Sequence, residues 1–276
     1  MSDADSVVIS GAVTEAPAYA LADLLGTVAP ELDAGRLPAL WHWLFLQSWA
    51  PLRSLGSDGH PRDGIPHPPK EGMRRMFAGG RVTQHEPLRV GLPATRRTRM
   101  LSSTTKTGRS GELTFVTVEN VVSQSGREVI VETQELVYRY PAPLPTASGP
   151  VPVSAPTSVS TRFAVDPIIL FRLSALTFNS HRIHYDRDFA VGSDGYPDLV
   201  IHGPLQALLM SRLAEAQRPG ELLAEFSYRL VAPAFGAQTL EVSAVPGADG
   251  VSTSVSDQAG QTTATGVADF LLPDQP

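Results

Sequence analysis

No cysteine occurs among the 276 residues, which removes disulfides, thiolate-bound zinc and a thiol nucleophile together and suits a reducing compartment. A basic excess is missing too. The formal net charge is −6 and the pI is near 5.6, so no overall positive field exists to hold a polyphosphate backbone, and nucleic acid is not an expected partner. The longest apolar run, "ALWHWLFL" at 39–46, falls far short of the roughly 20 residues that cross a bilayer. The start, "MSDADSVVIS", is acidic and polar, with the layout of neither a signal peptide nor a transit peptide. These absences predict a soluble cytoplasmic protein without membrane contact. GxSxG elbow, Walker-type P-loop and GxGxxG turn are also lacking, so esterase, nucleotide hydrolase and nicotinamide-enzyme readings have no minimal motif, and "AGGR" and "GRSG" read as turns.

What is present divides the chain. At 42% hydrophobic residues, it can fill one large core or two ordinary ones. Proline, serine and alanine crowd out periodic apolar residues in "YPAPLPTASGPVPVSAPTSVS", 140–160, where extended chain is expected. The predicted organisation is a module over 1–142, a linker over 143–160 and a second module over 161–276. In the second, "GPLQALLMSRLAEAQ" sets Leu205, Leu208, Leu209, Leu213 and Ala216 on one helical face, with Pro204 suited to the first turn. Downstream, "ELLAEFSYRLVAP", "TLEVSAVPG", "VSTSVSDQAG" and "TTATGVADFLL" are short β-rich runs cut by turn residues. The first module repeats the theme with "PLRVGL", "RRTRMLSSTTKTG", "LTFVTVENVVSQSG" and "REVIVETQELVYRY". One helix against a curled antiparallel sheet, twice over, is an α+β layout.

The chemistry concentrates in "FNSHRIHYD", 178–186. His181, His184 and Asp186, with His202 returning nearby, are a donor set that zinc accepts; proton transfer and plain surface imidazoles are the competing readings. The segments "FRLSALTFNSHRIHYDRDFA" and "GYPDLVIHGPLQALLMSRLAE" resemble the MaoC-like hydratase/dehydratase group of the hot dog superfamily. In its R-specific enoyl-CoA hydratases the loop runs small residue, Asp, any residue, Asn, Pro, aliphatic residue, His. Here Asn179 falls at the Asp position, His181 at the Asn, Arg182 at the Pro and His184 at the catalytic His. The variant loop looks like a narrower subfamily, the type 2 hydroxyacyl-thioester dehydratases with the mesaconyl-C4-CoA and itaconyl-CoA hydratases. "LWHWLFL", "HPPKEGMRRMFAGGRVTQHEPLRVG" and "GRSGELTFVTVENVVSQSGREVIVETQELVYR" resemble the same subfamily's first module.

The resemblance implies a double hot dog and reversible addition of water to an α,β-unsaturated acyl thioester, carried by CoA or acyl carrier protein. No cofactor and no metal is expected, the CoA thioester being the substrate. His184 is the acid/base, since imidazole titrates near neutrality. Asn179 lacks the titratable group of the family's Asp and can only orient by hydrogen bonding. Gly203 opens the predicted helix, where an unpartnered N–H at the positive end of the dipole can meet the developing enolate oxygen, or where the residue is simply a helix start. His202 orients the turn or packs beneath the site. His181 fixes the loop or relays protons, and Tyr185 and Asp186 have capping or surface roles beside any catalytic one. Arg182 is the guess for a substrate carboxylate, while Arg74, Arg75, Arg81, Arg96, Arg97 and Arg99 either clamp the nucleotide or stay solvated, Arg75 and Arg81 being the substrate-binding candidates. Trp41, Trp43, Phe45 and Trp49 line an acyl tunnel or form core. The first module has no loop to match 179–184, so one active site per chain is expected, and a homodimer is allowed. Thioester hydrolysis and a silent acyl-thioester-binding module are the alternative functions.

Overall fold

In the computed structural model residues 6–108, 111–140 and 158–271 are described, and most of the expected linker lies outside them. Alternating apolar and polar side chains build ten strands. They are β1 (Ser6–Ala12), β2 (Arg74–Gln84), β3 (Pro93–Gly108), β4 (Gly111–Gln124), β5 (Arg127–Arg139), β6 (Val159–Val165), β7 (Leu222–Leu230), β8 (Gln238–Pro246), β9 (Val251–Ser256) and β10 (Thr262–Leu271). All join one antiparallel sheet in the order β1-β3-β4-β5-β2-β7-β10-β9-β8-β6. The β2–β7 pair is the seam between the first-half and second-half strands. Val159 and Ser160, expected in the linker, already belong to β6.

The helices are α1 (Glu15–Leu25), the four-residue α2 (Pro30–Asp33), α3 (Pro167–Leu176) and α4 (Gly203–Ala216). α4 lies against β7, β8, β9, β10 and β2. Its burial is wider than one face: Leu205, Gln206, Ala207, Leu208, Leu209, Met210, Ser211 and Ala214 are all buried, whereas Leu213 is half-buried and Ala216 exposed. A helix with sheet curled around it and the other half beside it buries every side of its first three turns. The two polar exceptions are satisfied: the Thr263 hydroxyl donates to Gln206 Oε1 at 2.5 Å, and the Ser211 hydroxyl donates to the Leu208 carbonyl at 3.1 Å. The halves are unequal, since the first has the 11-residue α1, α2 and a 3-10 turn over Trp41–Leu44 in place of a 14-residue helix.

Two local expectations change. "PLRVGL" is a loop, its Arg89 N–H accepted by Gln124 Oε1 and its Leu88 buried in the core. "AGGR" is no turn. Gly79 and Gly80 sit inside β2 next to a register shift at Phe77/Gly79, and the seam strand β7 runs so close that a Cβ on Gly79 would overlap the Tyr228 carbonyl. The glycines are there for the approach of backbone to backbone. Gly79→Ala is therefore expected to cost about 3 kcal/mol or more, because neither strand can move without opening the seam; chemical denaturation would read this as a lower midpoint.

Candidate active site

The site is delivered by the end of α3. Asp166 caps its start, accepting from the Ile169 N–H at 2.8 Å. At its end Phe178 takes a left-handed conformation (φ 50°), its N–H donating to the Ala175 carbonyl and the Asn179 N–H to the Ser174 carbonyl at 2.8 Å. This pair of bonds is a Schellman turn with phenylalanine where glycine is usual. It throws Asn179 into the loop, where Asn179 Oδ1 accepts from the His181 N–H at 3.1 Å. The carbonyl of that amide is thus spent on shaping the loop.

His184 follows on a 3-10 turn over Arg182–His184. Its Nδ1–H donates to the Val200 carbonyl at 2.7 Å, which leaves Nε2 as the acceptor on the cavity side. Its ring stacks on His202, centroids 3.7 Å apart and planes 17° apart, and His202 Nε2 meets the Ser174 hydroxyl at 2.9 Å. His202 therefore packs beneath the acid/base and precedes Gly203, the first residue of α4. A Cβ on Gly203 would collide with the Leu230 side chain, so the bare position serves packing as well as access.

Asn179, His181, His184, His202 and Gly203 line a single cavity of about 860 Å³, within the usual size range of ligand sites. Its other wall comes from the first half: His42, Trp43, His60, Arg75, Arg96 and Glu132. Burial pushes the Glu132 carboxyl up, but His42, Gln134 and Trp43 more than offset this and hold it below the ordinary range; the Trp43 Nε1–H donates to it at 2.7 Å. Burial, helped by the Arg75 charge, likewise drives His184 down to about 4 against the opposing Val200 bond. His184 is therefore neutral at physiological pH, with a lone pair free to accept a proton.

The aromatic cluster splits between its two readings. Trp41 and Phe45 are core, Trp43 lines the cavity, and the exposed Trp49 packs tilted against Phe178 with ring centroids 4.1 Å apart.

Several expected substrate contacts point elsewhere. Arg182 donates twice to Asp186 Oδ2, at 2.9 and 2.7 Å, and once to the Ser57 carbonyl at 2.9 Å, and it covers the Phe189 ring. It staples the loop to the first half and does not line the cavity. Arg81 pairs with Glu225 at 3.3 Å, its side chain 61% exposed, and is likewise outside the cavity. Arg74, Arg97 and Arg99 are bound to Asp194, Glu128 and Glu119. Of the six arginines weighed, Arg75 and Arg96 reach the cavity. The zinc set is not assembled, because Asp186 is taken by Arg182 and the Phe189 N–H. Asp58, His60 and His181 each bring a donor atom within 4.8 Å of the others, but Asp58 Oδ2 and His60 Nδ1 meet as a hydrogen bond at 3.2 Å.

His60 and Asp58 were not legible as site residues. Their segment, "SDGH", looks like an ordinary Asp-Gly turn, and the one signal was a histidine beside it. Here the loop closes over 179–184. The Ser180 hydroxyl donates to the Gly59 carbonyl at 2.6 Å and the Arg182 N–H to the Asp58 carbonyl at 2.9 Å. Gly59 has φ 89° and lies where any Cβ would overlap the Ser180 carbonyl.

The sequence matches the family described as hydroxyacyl-thioester dehydratase type 2 over residues 40–236. The chain belongs to that family. A mesaconyl-C(4)-CoA hydratase of Chloroflexus aurantiacus is 44% identical over 240 residues, 85% of this chain and 83% of that protein. A mitochondrial hydroxyacyl-thioester dehydratase type 2 of Schizosaccharomyces pombe is 27% identical, over 73% and 75% of the two chains. Among solved structures, a Mycobacterium tuberculosis protein described as having a double hot dog fold superposes with a TM-score of 0.62 at 14% identity, covering 97% of this chain and 96% of its own. The family's fold is thus the expected double hot dog. Among the described residues no helix is long and apolar enough to cross a membrane.

Proposed function

We propose that this dehydratase-family chain adds water reversibly across the double bond of an enoyl thioester, with a short branched or dicarboxylic acyl-CoA such as mesaconyl-C4-CoA or itaconyl-CoA as substrate. The observation that carries the reading is the single cavity in which the free Nε2 of His184 and the helix start at Gly203 both open. His184 takes a proton from water, whose oxygen bonds to the β-carbon. The electron pair moves toward the thioester oxygen, where the Gly203 N–H at the positive end of α4 gains most from the developing charge. Protonation of the α-carbon by the same imidazole completes the addition, and the carbonyl is regenerated. Asn179 holds the loop and offers its amide N–H to the substrate. No cofactor enters, the CoA thioester being the substrate itself, and the first half supplies the wall against which the acyl group lies. A homodimer in the cytoplasm fits this reading without being required by it.

The test follows the enoyl-thioester absorbance together with free thiol, over mesaconyl-C4-CoA, itaconyl-CoA and straight-chain enoyl-CoA. Loss of the enoyl band without thiol release is the expected result. Thiol release would mean hydrolysis, and binding with neither change would mean a silent acyl-thioester-binding module.

A further inference from the structure

Asn179 leaves the attacking water short of a partner. Water held at both hydrogens has its lone pair fixed on the alkene, and His184 Nε2 accepts only one of them. One lone pair of Asn179 Oδ1 is taken by the His181 N–H, which fixes that oxygen to the loop, and further acceptors stand elsewhere in the cavity wall. We propose that the Asp58–His60 pair, contributed by the other half of the chain, supplies the second acceptor. This inference rests on the hydratase reading.

His60 Nδ1 lies 3.2 Å from Asp58 Oδ2, and the His60 backbone N–H donates to Asp58 Oδ1 at 3.0 Å. A carboxylate on Nδ1–H fixes the tautomer, which makes Nε2 the acceptor. His60 is buried, lines the cavity, and packs tilted against His181 with ring centroids 4.0 Å apart, the His181 ring being 5.4 Å from that of His184. His181 touches both rings, but among the described residues no hydrogen bond to its ring fixes its tautomer, so His60 is the better-prepared acceptor. The charged and titratable neighbours of His60 are Asp58 on its own loop, Arg75 on β2, and His181 and His184 on the facing loop. Burial first, then the Arg75 charge, keeps His60 neutral at physiological pH, so that its Nε2 lone pair is open.

The step balances within one water. One O–H bond breaks as its proton passes to His184 Nε2; the oxygen bonds to the β-carbon; the π pair moves to the enolate; and the His184 proton forms the new α-C–H bond. The second hydrogen stays on the oxygen throughout, hydrogen-bonded to His60 Nε2, and becomes the product hydroxyl. The bonds from Ser180 and Arg182 to the 58–59 carbonyls hold this acceptor at a fixed place relative to His184.

The experiment compares wild type, His60→Ala and His60→Gln on mesaconyl-C4-CoA, with folding checked by circular dichroism. His60→Ala is expected to lose about 100-fold in kcat with KM changed less than threefold, as for a group that acts on the water and not on the thioester. Added imidazole should restore part of that rate. His60→Gln, which keeps an acceptor oxygen, should lose only about tenfold, and it carries the test if the alanine variant does not fold. Turnover of either folded variant within threefold of wild type would overturn the proposal, as would a loss that imidazole does not relieve and that falls equally on kcat and KM. Wild-type activity abolished by EDTA and restored by zinc would instead assign Asp58, His60 and His181 to a metal and overturn it. A wild-type chain that hydrates no thioester of the panel would sink the functional reading itself, and this proposal with it.

Discussion

Replacing His184 by alanine is expected to lower kcat about 1,000-fold, the middle of the range for a positioned acid/base, and to lower the melting temperature as well, because the Val200 carbonyl loses its buried donor. The wild-type pH profile is the sharper signature. Because burial drives this imidazole down to about 4, kcat/KM should stay level from about pH 8 to pH 5 and fall with an acid limb near 4, where an exposed histidine would give a limb near 6.5. The sign of the stability effect is fixed by the same shift. A base whose folded pKa is depressed binds fewer protons folded than unfolded between 6.5 and about 4, so stability is intact above that window and is lost as pH falls through it. For a shift of this size that loss is about 3 kcal/mol. His60, His181 and His202 are lowered by burial as well, and their contributions act in the same direction. Kinetics from pH 4 to 8, paired with denaturation at each pH, would separate chemistry from unfolding. An acid limb at pH 6.5 in folded protein would show that a different, exposed group carries the proton.

What was legible in the chain was what local pattern encodes. The alternation in "LTFVTVENVVSQSG" and "REVIVETQELVYRY" became the hairpin β4–β5, and the period in "GPLQALLMSRLAEAQ" became α4 starting at Gly203. His184, Asn179 and Gly203 sit within 25 residues of one another and were singled out through the family resemblance that this contiguous loop and helix start carry; they line one cavity. Tertiary pairing was not legible. β2 reads as an Arg- and Gly-rich turn region until β7 is laid against it, since the reason for Gly79 is a carbonyl 149 positions away in the chain. Asp58 and His60 gain meaning only from a docking of one half onto the other. Arginines show the same limit. Their residue type signals an anion, but whether that anion is Glu225, Asp186 or a substrate depends on which way each side chain turns.

Arg75 is the arginine for which the second large effect is expected. It lines the cavity close enough to influence the His60, His181 and His184 rings. The neutral Tyr138 hydroxyl lies beside it, and Asp58 acts on it from beyond ion-pairing distance. Burial lowers its pKa, yet a guanidinium stays charged. A half-buried cation without a matched anion is partly desolvated at a cost, and a substrate that brings a carboxylate to the far end of its acyl chain would relieve that cost on binding. Arg96 stands in the same cavity, where Glu132 acts on it from beyond ion-pairing distance; Arg75 is put forward as the receptor because it also acts on the three histidine rings. Arg75→Met should then lower kcat/KM for mesaconyl-C4-CoA by about 100-fold, the roughly 3 kcal/mol of a desolvated charge-assisted pair, while crotonyl-CoA, which has no such group, should change less than threefold or improve. Arg182→Met, by contrast, should shift both substrates together, since its donors hold the loop through Asp186 and Ser57. Steady-state kinetics of the two variants on the two thioesters settles the matter: an equal loss on both by Arg75→Met would make that side chain a support for the histidines, and the free carboxylate would need another partner.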